Sequence, residues 1–159
     1  MKTHDENLYL GKTEERQNFR AHFRLEPSET ITLQSRIDAV RFMSGQREKG
    51  ILVYQDFAWS PVKIPVTAVF RAAWFHTGSY NTRIFAYEND LLYTFSSLSF
   101  SGKGIRTYLD LHIRLTDNLE AWLKVANTSW FGQETAGSGN DKINGSSKSE
   151  MKIQIRYRL

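Results

Sequence analysis

Residues 148–159 read KSEMKIQIRYRL, and from Glu150 onward the stretch alternates without a slip. Met151, Ile153, Ile155, Tyr157 and Leu159 fall on one parity, and Lys152, Gln154, Arg156 and Arg158 on the other. Successive side chains of a β-strand point to opposite faces, so this spacing predicts a strand with one apolar and one strongly charged face. The same period recurs upstream. Residues 105–115 set Ile105, Leu109, Leu111 and Ile113 against Arg106, Asp110, His112 and Arg114, and residues 18–25 set Phe19, Ala21, Phe23 and Leu25 against Asn18, Arg20, His22 and Arg24.

Working outward from these anchors, strands are predicted over residues 30–42, 51–59, 66–75, 82–88, 91–99 and 119–130, making nine with the three above. Alternation in residues 30–42 slips parity near Val40, which a β-bulge or a strand end would explain. The connections alternate in length. Glu26-Pro27-Ser28-Glu29, residues 60–65, Asn89-Asp90 and Thr116-Asp117-Asn118 read as short. Residues 43–50 (MSGQREKG), 76–81, the flexible Ser101-Gly102-Lys103-Gly104 stretch and 131–147 read as longer. Pro27, Pro61 and Pro65 fall where a fixed φ and a missing donor suit turns and strand edges. Residues 1–17 show neither period and read as a polar loop or frayed end, leaving 18–159 as a single β-domain. The fold class expected is all-β, an antiparallel up-and-down meander of about 8–10 strands.

Two architectures fit that meander. The terminal strand, ending on Leu159 with an aromatic two positions before it, resembles the closing strand of a bacterial outer-membrane β-barrel. Such barrels have short turns on one side of the membrane and longer loops on the other. Trp59 beside a short turn, and Trp74 and Trp130 beside long ones, suit rings at two water interfaces, whereas Trp122 shares parity with Glu120 and Lys124 and is expected to point inward. An odd strand count fits a C-terminal part of a larger barrel, with earlier strands upstream, better than a whole one. The rival is a soluble antiparallel barrel or sandwich binding a lipid or sugar, with the same alternation turned inside out. A third reading is an assembly subunit whose apolar face packs on a partner.

Composition narrows these readings. Net charge is +4, from 21 basic and 17 acidic residues that are interspersed rather than gathered, which predicts no nucleic-acid site in this chain. There is no cysteine, so neither a disulfide framework nor a thiolate metal site can form. Mean hydropathy is −0.48, which argues against helical membrane spans but suits barrel strands, where only every second residue is apolar. Residues 1–17, MKTHDENLYLGKTEERQ, contain no apolar core of a secretory signal, as expected of a fragment.

Residues 83–131, RIFAYENDLLYTFSSLSFSGKGIRTYLDLHIRLTDNLEAWLKVANTSWF, with the following GSGNDKINGSSKSE and the last strand, resemble a family of Bacteroidetes proteins. Those proteins carry an N-terminal helix-hairpin-helix segment of the competence type ahead of a β-barrel-like region. The match is carried by Tyr87-Glu88-Asn89-Asp90-Leu91-Leu92-Tyr93, Gly102-Lys103-Gly104 and Gly137-Ser138-Gly139. The resemblance implies a barrel-like region and a role in envelope transport or DNA uptake; the outer-membrane location expected here comes from the terminal strand and the alternating connections. This chain has no helix-hairpin-helix stretch, so no DNA-binding residue carries over.

No catalytic constellation emerges, and the chain reads as a non-enzyme. His4, His22, His76 and His112 lack ligand spacing. Ser101-Gly102-Lys103-Gly104 lacks the rest of a phosphate loop, and residues 140–145 fail the EF-hand spacing. No cofactor or metal is expected. The remaining candidates are ten residues on the polar parities: Arg71, Arg106, Asp110, His112, Arg114, Glu120, Lys124, Lys152, Arg156 and Arg158. On a lipid face a midplane Arg or Lys would cost about 2–4 kcal/mol, so in a membrane these residues must line a lumen. There they either pair with one another in a closed interior or line a conducting channel. The partners implied are outer-membrane lipid and upstream strands of the same protein.

Overall fold

Alternation becomes architecture through hydrogen-bonded pairing of neighbouring strands. A computed structural model describes residues 14–132, 135–136 and 143–159. Its main sheet contains β1 (Glu15–Ser28), β2 (Ile31–Ser44), β3 (Gln46–Trp59), β4 (Val66–Thr77), β7 (Lys103–Arg114), β8 (Leu119–Trp130) and β11 (Ser147–Tyr157). These seven strands form one antiparallel meander in the order β1-β2-β3-β4-β7-β8-β11. Two short ribbons stand apart, β5 (Ile84–Glu88) with β6 (Ser96–Phe100), and β9 (Thr135–Ala136) with β10 (Ile143–Asn144). Neither edge strand of the main sheet, β1 or β11, has a second neighbour among the described residues.

The 82–88 and 91–99 stretches are therefore not strands of the main sheet. β4 pairs directly with β7, from Val66↔Ile113 to His76↔Lys103, and the chain between them leaves the sheet. It makes a 3-10 turn at Tyr80–Thr82, capped by the Ser79 side chain, and then the β5–β6 hairpin. Residues 89–95, expected to be a tight Asn89-Asp90 turn followed by strand, form the hairpin's longer connection, with Tyr93 at φ +64°. β6 accordingly starts at Ser96 rather than at Leu91.

Residues 43–50 are not a long loop either. β2 and β3 run on to Ser44↔Gln46 and turn at Gly45, whose φ of +79° is a conformation that glycine adopts without strain. A ladder needs backbone partners and not apolar side chains, so Gln46, Arg47, Glu48 and Lys49 extend the strand despite their polarity. Residues 14–17 and 26–28 contain similar differences. β1 begins at Glu15 and continues to Ser28, with its irregularity between Leu25 and Ser28, around the non-donating Pro27. Lys103 and Gly104, expected in a flexible connection, are the first residues of β7.

At Val40 there is neither bulge nor strand end, and pairing is continuous through Asn18↔Val40↔Gly50. The slip in the sequence has another cause. Val40 lies on the sheet's inner face and is buried with Leu52, Tyr54, Ala73 and Phe75 beneath Ile84, Ala86 and Phe100 of the hairpin. That part of the polar parity is apolar because the hairpin covers it.

Candidate functional site: the charged inner face and its hairpin

Each strand presents the same division of faces. The outer one carries Phe19, Ala21, Phe23 and Leu25 on β1; Ile31, Leu33, Ile37 and Ala39 on β2; and Ile51, Val53, Phe57 and Trp59 on β3. It continues with Val66, Ala68, Phe70 and Trp74 on β4, Ile105, Leu109 and Leu111 on β7, Leu123 and Val125 on β8, and Ile153 and Ile155 on β11. Many of these are open to the surroundings, Phe23 at 64%, Met151 at 65% and Ile153 at 62%. Polar interruptions of the band are few. Ser35 and Gln55 are direct cross-strand partners, and the Ser35 hydroxyl donates to Gln55 Oε1, while Gln55 Nε2 donates to the carbonyls of Gln34 and Asp56 at 3.1 and 2.9 Å.

The inner face inverts the usual rule that charge stays outside. Arg106 and Lys124 are each 2% exposed at the side chain, and Arg71 is nearly as buried. Burying a guanidinium or ammonium is costly unless the ion is paired and its donors are used. Arg71 donates to both Asp56 oxygens, at 2.5 and 2.6 Å, and lies over the Tyr54 ring at 3.7 Å. Arg106 donates to both Glu88 oxygens, at 2.7 and 2.9 Å, and to Thr128 Oγ1 at 2.7 Å. Lys124 Nζ reaches Glu88 at 3.3 Å and the Asn89 carbonyl at 2.5 Å, and Lys152 Nζ reaches Asp90 at 2.6 Å.

The hairpin is thus held by charge along one edge. Backbone carbonyls of the hairpin and of the turn before it face cations from four strands of the main sheet, β1, β2, β4 and β8: Arg16 donates to Asn81 and Arg83, Arg36 to Phe85, Arg71 to Tyr87 and Lys124 to Asn89. An unpaired strand edge carries free acceptors, and here side chains satisfy them in place of another strand. Gly50 makes the close approach possible, since a Cβ there would stand 2.4 Å from the Thr82 carbonyl oxygen.

No family model, curated protein or solved structure matches the chain. The site must therefore be read from its own chemistry.

Nine of the ten expected residues fall into two groups, and Asp110 stands apart. Arg71, Arg106, Lys124 and Lys152 gather around the hairpin's Glu88 and Asp90 and the wall's Asp56. His112, Arg114, Arg156 and Arg158 surround Glu120 at the opposite end, where Arg156 donates at 2.6 Å and Arg158 at 3.0 Å, with Arg114 at 3.9 Å. His112 stacks on Trp122, ring centroids 4.5 Å apart, and Arg156 lies over the same ring. Asp110 is buried, and among the described residues its Oδ2 has no hydrogen-bond partner. Arg114 and Arg158 are largely exposed and belong to the rim rather than to the enclosed network.

Sequence reasoning missed Asp56, Glu88 and Asp90. The available signal was charge balance, because so many inward cations need inward carboxylates, and residues 88–90 hold two of them. Asp90 shows how the pairing acts. Burial opposes its ionisation, but Lys152, the Ser96 hydroxyl and the Leu91 N–H hold its carboxyl down to about 2. Trp130 also differs from expectation. It lies on the inner parity, packed against the hairpin cluster and donating to the Ser101 carbonyl at 3.3 Å, and so is not an outer interface ring.

Proposed function

We propose that the seven strands form part of the wall of an outer-membrane β-barrel, apolar face toward lipid, with the β5–β6 hairpin folded inward as a plug. One observation carries this reading: all seven outer faces present an apolar band free of charged side chains, while paired Arg, Lys, Asp and Glu fill the opposite face. Residues 51–59 of β3 and 66–74 of β4 match the roughly 9–11 residues that a tilted strand needs to cross a bilayer. The Ser35–Gln55 pair supports it too, since polar groups facing lipid must satisfy one another. The rival soluble barrel would place its dry interior on the Ile153 face, and the cover lies on the other side. The open edges of β1 and β11 fit a wall continued by further strands, the upstream part of the same protein being the source we assign. The filled inner face favours a closed resting state over a conducting pore.

The test is extraction and gel mobility of the protein from bacterial cells. An outer-membrane wall requires detergent and changes apparent mass on heating. A monomer that stays soluble in plain buffer would overturn the proposal.

A further inference from the structure

Just beyond the apolar band, at the end of the sheet where the hairpin connection leaves, the outer face turns basic. Arg41 on β2, Lys49 on β3, His76 on β4 and Lys103 on β7 all share the outward parity. Arg41 is the direct cross-strand partner of Lys49, and His76 of Lys103. Like charges placed opposite one another, as Arg41 and Lys49 are, destabilise a sheet, and an anion between them relieves the repulsion. Among the described residues none of the four joins a salt bridge. Arg41 reaches only the Met43 sulfur, at 3.4 Å, and Glu15, one rung further out, is engaged by Gln17 at 2.5 Å. Below these basic side chains runs a groove of about 660 Å³ lined by Phe19, Ala39, Arg41, Lys49, Ile51 and His76. Trp74 meets His76 edge-on, ring centroids 6.4 Å apart.

We propose that this rim binds the phosphate groups of an outer-leaflet glycolipid, whose acyl chains lie against Phe19 and Ile51 in the groove. The inference rests on the membrane-wall reading above. Charge and shape argue for it together: Arg41 offers a planar fork to a phosphate, Lys49 and Lys103 offer point charges, and the apolar trough directly beneath suits hydrocarbon. The longer connections of a barrel lie on the outer side, which sets the leaflet. A free phosphate ion would use the cations and leave the groove idle. Each Lys or Arg near an anionic lipid surface strengthens binding roughly fivefold.

The full chain, purified in a neutral maltoside detergent, is titrated with bis-phosphorylated lipid A, with the same lipid stripped of phosphate, and with inorganic phosphate, and bound lipid is counted by native mass spectrometry. Wild type is expected to retain the phosphorylated lipid at least about tenfold better than the stripped one, and R41Q/K49Q/K103Q to lose that preference. K49Q alone is expected to lose roughly fivefold, which keeps the test open if the triple variant does not fold. Equal retention of both lipids, an unchanged K49Q, or displacement of lipid by inorganic phosphate at matching concentration would each overturn the site. A chain that needs detergent but does not discriminate removes only this proposal, whereas one that is monomeric without detergent removes the membrane wall as well.

Discussion

Arg106 on β7 holds Glu88 at the end of β5 through Nε and Nη2, at 2.7 and 2.9 Å, although the two strands belong to different sheets. Both side chains are almost wholly buried. The contact ties the hairpin to the main sheet, and Lys124 shares the same carboxylate. Removing one member of such a pair leaves a buried charge without its partner, which typically costs about 3–5 kcal/mol. Glu88→Gln and Arg106→Gln are each expected to destabilise the fold on that scale, and the double variant by clearly less than their sum. A denaturant double-mutant cycle measures the coupling; additive losses would mean that the pair does not act as a unit.

Asp90 sets a pH limit on the same attachment. Its carboxyl, held at about 2 by Lys152 and its other donors, titrates below the unfolded value of 3.8. The stabilisation is therefore complete above the unfolded value and is lost as pH falls through about 2. Protection factors of the amides in residues 84–100, taken against intrinsic exchange at each pH, should stay high at pH 5 and fall between pH 4 and 2. Asp90→Asn should accelerate exchange already at neutral pH.

The division of faces predicts opposite responses to one substitution. Ile153 points outward near the middle of β11, so Ile153→Arg is expected to cost about 2–4 kcal/mol of folding stability in lipid vesicles. Arg at exposed Leu159, beyond the end of β11, should cost little. Refolding titrations in vesicles compare the two, and a neutral Ile153→Arg would mean that lipid does not touch this face.

Gly50 tests how closely the hairpin must sit. With the Thr82 carbonyl 2.4 Å from where a Cβ would be, Gly50→Ala should push the Tyr80–Thr82 turn away from β3. The expected result is faster proteolysis within residues 78–102 and an unchanged main sheet. An equally protected hairpin would show that the approach relaxes without consequence.

Which parts of this molecule could be read from sequence follows from what each strand touches. β7 and β11 have a polar, mostly charged face along nearly their whole length, so their parity was plain. β2 was harder to read because Val40 meets the hairpin's Ile84 and Ala86, and an apolar residue on a polar parity looks like a break in period. The hairpin could not be told from two more wall strands. Ile84, Ala86 and Glu88 alternate with Phe85 and Tyr87 whether the strand joins the sheet or lies across it. Only the carboxylates at positions 88 and 90, placed where a wall strand would end, hint that this segment answers the cations of the inner face. Of the charged network, the cations were legible from parity, and two of their partners, Glu88 and Asp90, come from a segment whose position depends on long-range packing.

The Ser35–Gln55 contact adds a constraint on assembly. Shifting β2 against β3 by two residues would keep oily side chains on the oily side, so hydrophobicity alone cannot reject that misalignment. It would, however, separate the Ser35 hydroxyl from the Gln55 amide and leave both facing apolar side chains. A single polar couple can thus act as a vernier mark, fixing how these two strands slide into place where every neighbouring side chain is interchangeable.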